Sequence, residues 1–292
     1  MQGLIVKGIA GFYYVKTENG VFRCKARGIF KKDGVKPMVG DAVDIEAQGG
    51  GDAVIIAIGV RKNEFIRPPV SNVDCFIIVV SAAKPEPNFR IIDSFLTMVE
   101  KNGAKAIVCV NKTDIADAEK ISAIGEIYEN IYPVVKVCAL SGNGTGDLKG
   151  LLSDGKYALA GPSGTGKSTL LNALTPSAVS AETGEISRKT SRGKHTTRHV
   201  EIFETGFGAM LFDTPGFTSF DASGLCADEM MFLYPEIAEL YGTCRYKSCV
   251  HIKEEGCAVK DAVGAGRIHQ SRYNSYKEIC EEISCLNSRR QY

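Results

Sequence analysis

The nine residues Gly161-Pro162-Ser163-Gly164-Thr165-Gly166-Lys167-Ser168-Thr169 fit the pattern G-x-x-x-x-G-K-[ST], between an apolar strand-like run and a helix-like one. Glycines spaced this way let backbone N–H groups wrap a phosphate that a Cβ would obstruct. Lys167 would set a point charge between the β- and γ-phosphates of a bound nucleotide, and Ser168 would offer its hydroxyl to a Mg²⁺ that keeps most of its waters. Asp213-Thr-Pro-Gly216 ends a second apolar run, AMLF. A carboxylate there can hold the Mg²⁺ shell, and the Gly216 N–H can report the γ-phosphate. Between these motifs lies RKTSRGKHTTRH (188–199), with five Lys/Arg, two His and no acid. Either Thr196 or Thr197 could lend Mg²⁺ a hydroxyl that is released on hydrolysis, and Thr197 is the favoured one.

A further tetrapeptide, Asn111-Lys112-Thr113-Asp114, follows the apolar run AKAIVCV. In a guanine-reading loop the aspartate accepts hydrogen bonds from the base N1–H and exocyclic amine, which adenine cannot supply. A site built on such bonds rejects the wrong base strongly, because its own polar group would be left buried and unpaired. Asn111 would brace the loop and Lys112 would pack its stem over the base. Cys138-Ala139-Leu140-Ser141 ends the next strand-like run, where a GTPase places its second base-contacting loop. The order is unusual, since the guanine loop stands fifty residues before the phosphate loop instead of after it. A circular permutation accounts for that at little structural cost, because chain termini often lie close together at the surface.

Many GTPases follow D-x-x-G with a glutamine that positions the attacking water. Here the next residue is Phe217, whose ring cannot do so, and a low intrinsic rate is expected. His195 is the nearest residue able to orient or deprotonate a water, and an imidazole titrating near neutrality suits that role.

Cys244-x4-Cys249-x-His251-x5-Cys257 packs three cysteines and a histidine into fourteen residues, where roughly half a cysteine would fall by chance. A Cys₃His set with no obvious open position suits one structural, tetrahedral Zn²⁺. Disulfides are disfavoured in the cytoplasmic setting that the remaining cysteines suggest: Cys75, Cys109 and Cys138 sit singly in apolar runs, as buried free thiols do.

Three segments must position these groups. Residues 1–67 alternate short apolar runs with the turns ENG, KKDG and QGGG, which predicts four or five strands in a small barrel such as an OB-fold. IRPPVSNVD then reads as a linker. Residues 68–221 alternate strand and helix patterns, an α/β domain with a mainly parallel sheet whose ligands sit at the carboxyl ends of strands. Residues 222–292 lose the strand signal. DEMMFLYPEIAELYG reads as helical, and Tyr273, Tyr276, Ile279, Cys280 and Ile283 would share one helix face. Of the 292 residues 44% are hydrophobic and 24% charged, which suits a globular chain, and no apolar run approaches the ~18 residues of a membrane span. The net charge of +1 is uneven, at +4 over residues 1–67 and −1 over 222–292.

The order NKTD, CALS, GPSGTGKST, HTT, DTPG resembles that of the circularly permuted GTPases, specifically the RsgA (YjeQ) family of bacterial ribosome small-subunit assembly factors. The flanking barrel and the C-x4-C-x-H-x5-C pattern agree, so the resemblance covers nearly the whole chain. It implies a permuted P-loop GTPase domain flanked by an OB-fold barrel and a mainly helical zinc domain; the composition and cysteine pattern are read as those of a cytoplasmic protein, and a monomer is expected. The resemblance further implies binding of GTP or GDP with Mg²⁺, hydrolysis of GTP stimulated by the 30S subunit, and contacts with its 16S rRNA. The family motif also has a histidine before its threonine pair, so the role of His195 carries over. Two other readings stay open at this point. One is a GTP-regulated RNA-binding module without significant turnover. The other, a P-loop enzyme using ATP, is disfavoured by NKTD.

Overall fold

The architecture is described from a computed structural model covering residues 1–28, 30, 34–175, 199–215 and 225–290, with no account of the side chains of 227 and 287–290. Five strands open the chain: β1 (Gln2–Ile9), β2 (Phe12–Thr17), β3 (Gly20–Ala26), β4 (Ala42–Gly49) and β5 (Asp52–Ile58). They pair in the order β1-β2-β3-β5-β4, and β4 returns to β1 to close a barrel. All neighbours are antiparallel except β3 and β5. This is the OB-type barrel expected. The first strand-like run divides in two at Ala10 and Gly11, whose positive φ values of 49° and 83° make the turn. Ile5, Val15, Cys24, Ile45 and Ile55 fill the interior.

Residues 61–74 form a fastening, and the part of it at 66–74 is where the sequence suggested a linker. β6 (Glu64–Ile66) and β7 (Pro69–Ser71) make a two-stranded hairpin with the prolines at its turn. The long-range polar groups that hold it lie far off in sequence. Asp41, fully buried, accepts two hydrogen bonds at 2.8 Å from Arg61 and one at 2.6 Å from the Ser71 hydroxyl.

The second body is a parallel sheet, β8 (Cys75–Ser81), β9 (Lys105–Asn111), β10 (Val134–Lys136), β11 (Lys156–Ala160) and β13 (Met210–Asp213), with β12 (Glu201–Glu204) antiparallel to β13. β8 is buried along its whole length. Phe76, Ile78 and Val80 join one core and Cys75, Ile77 and Val79 the other, which is why its sequence is apolar without alternation. Helices α1 (Phe89–Lys101), α2 (Ala118–Tyr128), α3 (Thr145–Leu151) and α4 (Lys167–Leu174) cover the faces. The barrel joins this sheet through β1 and β12, where Lys7 faces Glu201 and pairs with it at 3.0 Å.

A third core gathers Leu225, Met230, Tyr234, Ile237, Cys249 and the inner face of the last helix. The run read as one helix is interrupted. A 3₁₀ helix (Ala227–Leu233) is followed by the four-residue α5 (Pro235–Ala238), with Tyr234 extended between them (φ −119°, ψ 97°). Pro235 explains the break, because its ring disfavours a helical conformation at the residue before it. α6 (Ala258–Gly264) and α7 (Gln270–Arg290) complete the chain. The five residues expected to share a face of α7 are all buried, each at most 7% exposed.

Gly40 fixes the seam between barrel and sheet. Its φ is +100°, and a Cβ there would lie 2.1 Å from the Ser71 carbonyl oxygen and 3.0 Å from the Phe212 ring. Gly40→Ala is therefore expected to destabilise the chain by roughly 3–5 kcal/mol. Urea unfolding measures this, and a loss under about 1 kcal/mol would mean the seam yields where this packing says it cannot.

Candidate nucleotide site and metal centre

The loops of interest leave the carboxyl ends of β9, β11 and β13, as the parallel sheet requires. Asn111 is the last residue of β9 and only 2% exposed. Its side-chain amide donates to the Thr165 carbonyl at 2.9 Å, and its side-chain carbonyl accepts the Ala139 N–H at 3.0 Å. One side chain thus ties the NKTD loop to the phosphate loop and to the CALS loop. Lys112, with φ 65°, turns its ammonium onto the carbonyls of Lys84 at 2.5 Å and Gly164 at 2.7 Å. Thr113 anchors the other side by donating its N–H to Val137 at 3.3 Å. Asp114 and Leu140 stand exposed on the rim, while Cys138 and Ala139 are buried behind it.

The phosphate loop is as tightly specified. Gly166 has φ 97°, and a Cβ on it would sit 2.3 Å from the Asn111 amide nitrogen, so only glycine permits the bridge. Thr165 closes the turn with its hydroxyl on the Pro162 carbonyl at 3.0 Å. Lys167 opens α4 and donates to the carbonyls of Gly161 and Pro162, both at 2.8 Å. Ser163, Gly164, Ser168 and Thr169 are exposed on the same loop and first turn. Burial lowers the Lys167 ammonium to about 8, with the Asp213 carboxylate working in the opposite direction. Asp213 is 8% exposed at the end of β13, and Thr214 donates its hydroxyl to Leu159 at 2.6 Å, fixing the turn that follows. This arrangement offers backbone donors, a cation, a hydroxyl and a carboxylate, the set that cradles nucleotide phosphates and their Mg²⁺. His195, Thr196, Thr197, Gly216 and Phe217 lie outside the described residues.

The four cysteine and histidine residues converge. Their ligand atoms all lie within 4.8 Å of one another. His251 Nδ1 is 3.5 Å from Cys244 Sγ and 3.4 Å from Cys257 Sγ, and those two sulfurs are 4.0 Å apart. Tetrahedral zinc with ordinary bond lengths would space its sulfurs by about 3.8 Å and sulfur from nitrogen by about 3.6 Å. The spacings among Cys244, His251 and Cys257 lie within about 0.2 Å of those values, and the chemistry of the four donors suits such an ion. Burial lowers the His251 pKa, favouring the neutral ring that a ligand needs. Burial also pushes the Cys249 thiol up to about 12, so metal binding there must displace a proton. His251 has the left-handed φ of 62°, and its carbonyl is held by the Tyr273 hydroxyl at 2.8 Å. Burial acts to raise the Glu254 pKa, but N–H donors from Val250, Ile252 and Lys253 prevail and bring it to about 2. Its carboxylate braces the loop.

Sequence reasoning passed over Lys84, Asp93, Glu236 and Arg272. Lys84 contributes only a backbone carbonyl, which no side-chain pattern reveals. Arg272 did leave a signal, since it lies one helical turn before Tyr276 on an otherwise apolar face of α7.

The chain matches the RsgA GTPase description over residues 58–223 and the RsgA N-terminal domain description over residues 2–55. It is 42% identical over 291 residues to the small ribosomal subunit biogenesis GTPase RsgA of Caldanaerobacter subterraneus subsp. tengcongensis, covering 99% of this chain and 98% of that one. It is 45% identical over 285 residues to the protein of that description from Clostridium acetobutylicum, covering 97% and 98%. Among solved structures it is similar to YjeQ from Thermotoga maritima, with a TM-score of 0.79 and 34% identity over 97% of this chain and 98% of that one. It is also similar to YloQ, a circularly permuted GTPase, with a TM-score of 0.76 and 35% identity over 98% and 95%.

The lowered Lys167 makes nucleotide binding pH-dependent. Phosphate contact requires the cation, so above pH 8 binding must take up a proton, and GDP affinity should fall by up to about tenfold per pH unit. Calorimetric titration at pH 7 and pH 9, in buffers of different ionisation enthalpy, counts that proton. Equal proton uptake at both pH values would show that Lys167 does not titrate in this range.

Proposed function

The chain belongs to the RsgA family of GTPases, and from that premise we propose that it binds the 30S ribosomal subunit late in maturation and hydrolyses GTP when the subunit stimulates it. The observation that carries this reading is the Asn111 bridge. It gathers a guanine-type loop, a phosphate loop and a CALS loop around one site despite their permuted order. In this reading Asp114 selects guanine, with Lys112 and residues 138–140 flanking the base. Residues 161–169 hold the phosphates, with Gly216 at the γ-phosphate. Ser168, Asp213 and Thr197 would hold Mg²⁺, which would neutralise charge on the phosphate oxygens. His195 orients the attacking water, and Lys167 stabilises the charge that develops.

The barrel at 1–67 and the zinc-binding segment at 222–292 face 16S rRNA and ribosomal proteins, on either side of a GTPase domain at 68–221. Cys244, Cys249, His251 and Cys257 would hold one zinc ion that fixes their loop and takes no part in hydrolysis. We read the protein as a cytoplasmic monomer. Among the described residues no helix is long and apolar enough to cross a membrane.

Turnover of GTP and of ATP, with and without purified 30S subunits, tests the reading. Slow hydrolysis of GTP alone, raised at least about 10-fold by 30S, is expected, and His195→Ala should lower the stimulated rate by about 10²-fold or more while leaving GDP affinity unchanged. GTP binding without stimulated turnover would instead favour a regulated RNA-binding module. An unaltered rate in His195→Ala would move the water-positioning role elsewhere. Asp114→Asn should abolish the preference for GTP over ATP in competition binding, and a preserved preference would remove the base-reading role from Asp114.

A further inference from the structure

Polar contacts joined by the backbone of residues 81–93 and of α7 run from the nucleotide loops to the Cys₃His loop, and neither site's chemistry requires Arg272. They start in the segment from Ser81 to Asn88 that leads β8 into α1. There the Lys84 carbonyl accepts Lys112 at 2.5 Å and the Ser81 hydroxyl at 3.2 Å, while the Ala82 N–H donates to the Asn111 backbone carbonyl at 2.9 Å. Asn88 caps α1 by accepting the Ile91 N–H at 3.1 Å. Asp93, on the next turn, is completely buried and accepts Arg272 Nη1 at 2.8 Å and the Tyr128 hydroxyl at 3.0 Å. Arg272, 1% exposed, also forks onto Glu236 at 2.8 and 3.2 Å, and its guanidinium lies 4.4 Å from the Tyr234 ring centroid. The residues next to it on α7 grip the metal loop, Tyr273 at the His251 carbonyl and Tyr276 at the Val250 carbonyl, at 2.8 and 3.0 Å.

Stability does not explain this cluster. Desolvating three charges offsets most of their attraction, and apolar side chains of similar volume often serve as well or better. A planar guanidinium held by a carboxylate on each of two elements does supply fixed register, which apolar packing alone supplies poorly. The elements registered here are α1, α5 and α7.

We propose that Arg272 is a positioning residue for the nucleotide site. By fixing Asp93 it fixes α1, and through α1 the Lys84 carbonyl on which Lys112 and the phosphate loop are aligned. Nucleotide occupancy and metal occupancy of the Cys₃His loop are then coupled, each favouring the other by the same factor. The inference rests on the guanine-nucleotide reading of the site and is independent of any ribosomal partner.

Arg272→Met alone would strand two buried carboxylates, so the informative variant is the near-isosteric D93N/E236Q/R272M, with R272K as the conservative comparison. On the zinc-loaded full chain, without 30S, three quantities are measured: release of a fluorescent GDP analogue, the thermal midpoint, and zinc transfer to a chelator with and without GDP. The triple variant should keep its midpoint within about 5 °C and release GDP about fivefold faster or more, with R272K between it and the parent. In the parent, GDP should slow zinc transfer, and the variant should lose that protection. Parent-like GDP release by a folded triple variant overturns the proposal. So does zinc transfer in the parent that ignores GDP, a measurement that needs no variant to fold. A parent that binds no GDP at all removes the underlying reading, and the proposal with it.

Discussion

Asn111 spends both ends of its carboxamide on backbone groups of two other loops, one 28 and one 54 residues away in sequence. Everything the nucleotide site can do depends on that placement. The bridge forms because β9 and β11 run parallel on either side of β8, which delivers their carboxyl ends to the same edge of the sheet. Chain order does not enter this geometry. A parallel sheet fixes where each strand ends, and the connections between strands can be cut and rejoined elsewhere without moving those ends. Gly166 completes the constraint, since any side chain there would occupy the space of the Asn111 amide.

The flanking parts are attached by different physics. The barrel shares strands and core with the sheet. β1 pairs with β12, and the Gly40 turn packs on Phe212, the residue beside Asp213. The C-terminal segment shares no strand with it among the described residues. It meets α1 through charge: Arg272 on Asp93, and Arg90 paired with Glu278 and Glu282. Strand pairing and a shared core give a stiff seam, with few alternative registers once one face is buried. A helix pair held by a few ionic contacts has neighbouring registers closer in energy, so a guanidinium fork has a register to choose.

What the sequence disclosed followed from how local each determinant is. The phosphate loop is a strand, a turn and a helix within twenty residues, and its glycines and lysine have no other common use. The zinc-type set is legible because its four ligands fall within fourteen residues. IRPPVSNVD reads as a linker because what makes 61–74 a clip, the buried Asp41 carboxylate, lies twenty residues before Arg61 and thirty before Ser71. The break at Tyr234 was available in the sequence as Pro235, but the apolar spacing around it hid the punctuation. Arg272 shows a different limit. Its position was visible, but its meaning needed Asp93, 179 residues away, and Glu236.

The base-flanking loops and the backbone of the phosphate loop would hold a nucleotide alike before and during reaction, whereas Lys167 is placed to meet charge that develops. Binding of the first kind tightens the complex without speeding the chemical step. Acceleration also needs a contact made to the attacking water. At the position after Gly216, where many GTPases carry a glutamine, this chain has a phenylalanine with neither donor nor acceptor. A frame that binds well and hydrolyses slowly keeps its nucleotide until another group completes the site. The bridged binding frame and the water-orienting role proposed for His195 therefore belong to one mechanism, the first making the second decisive.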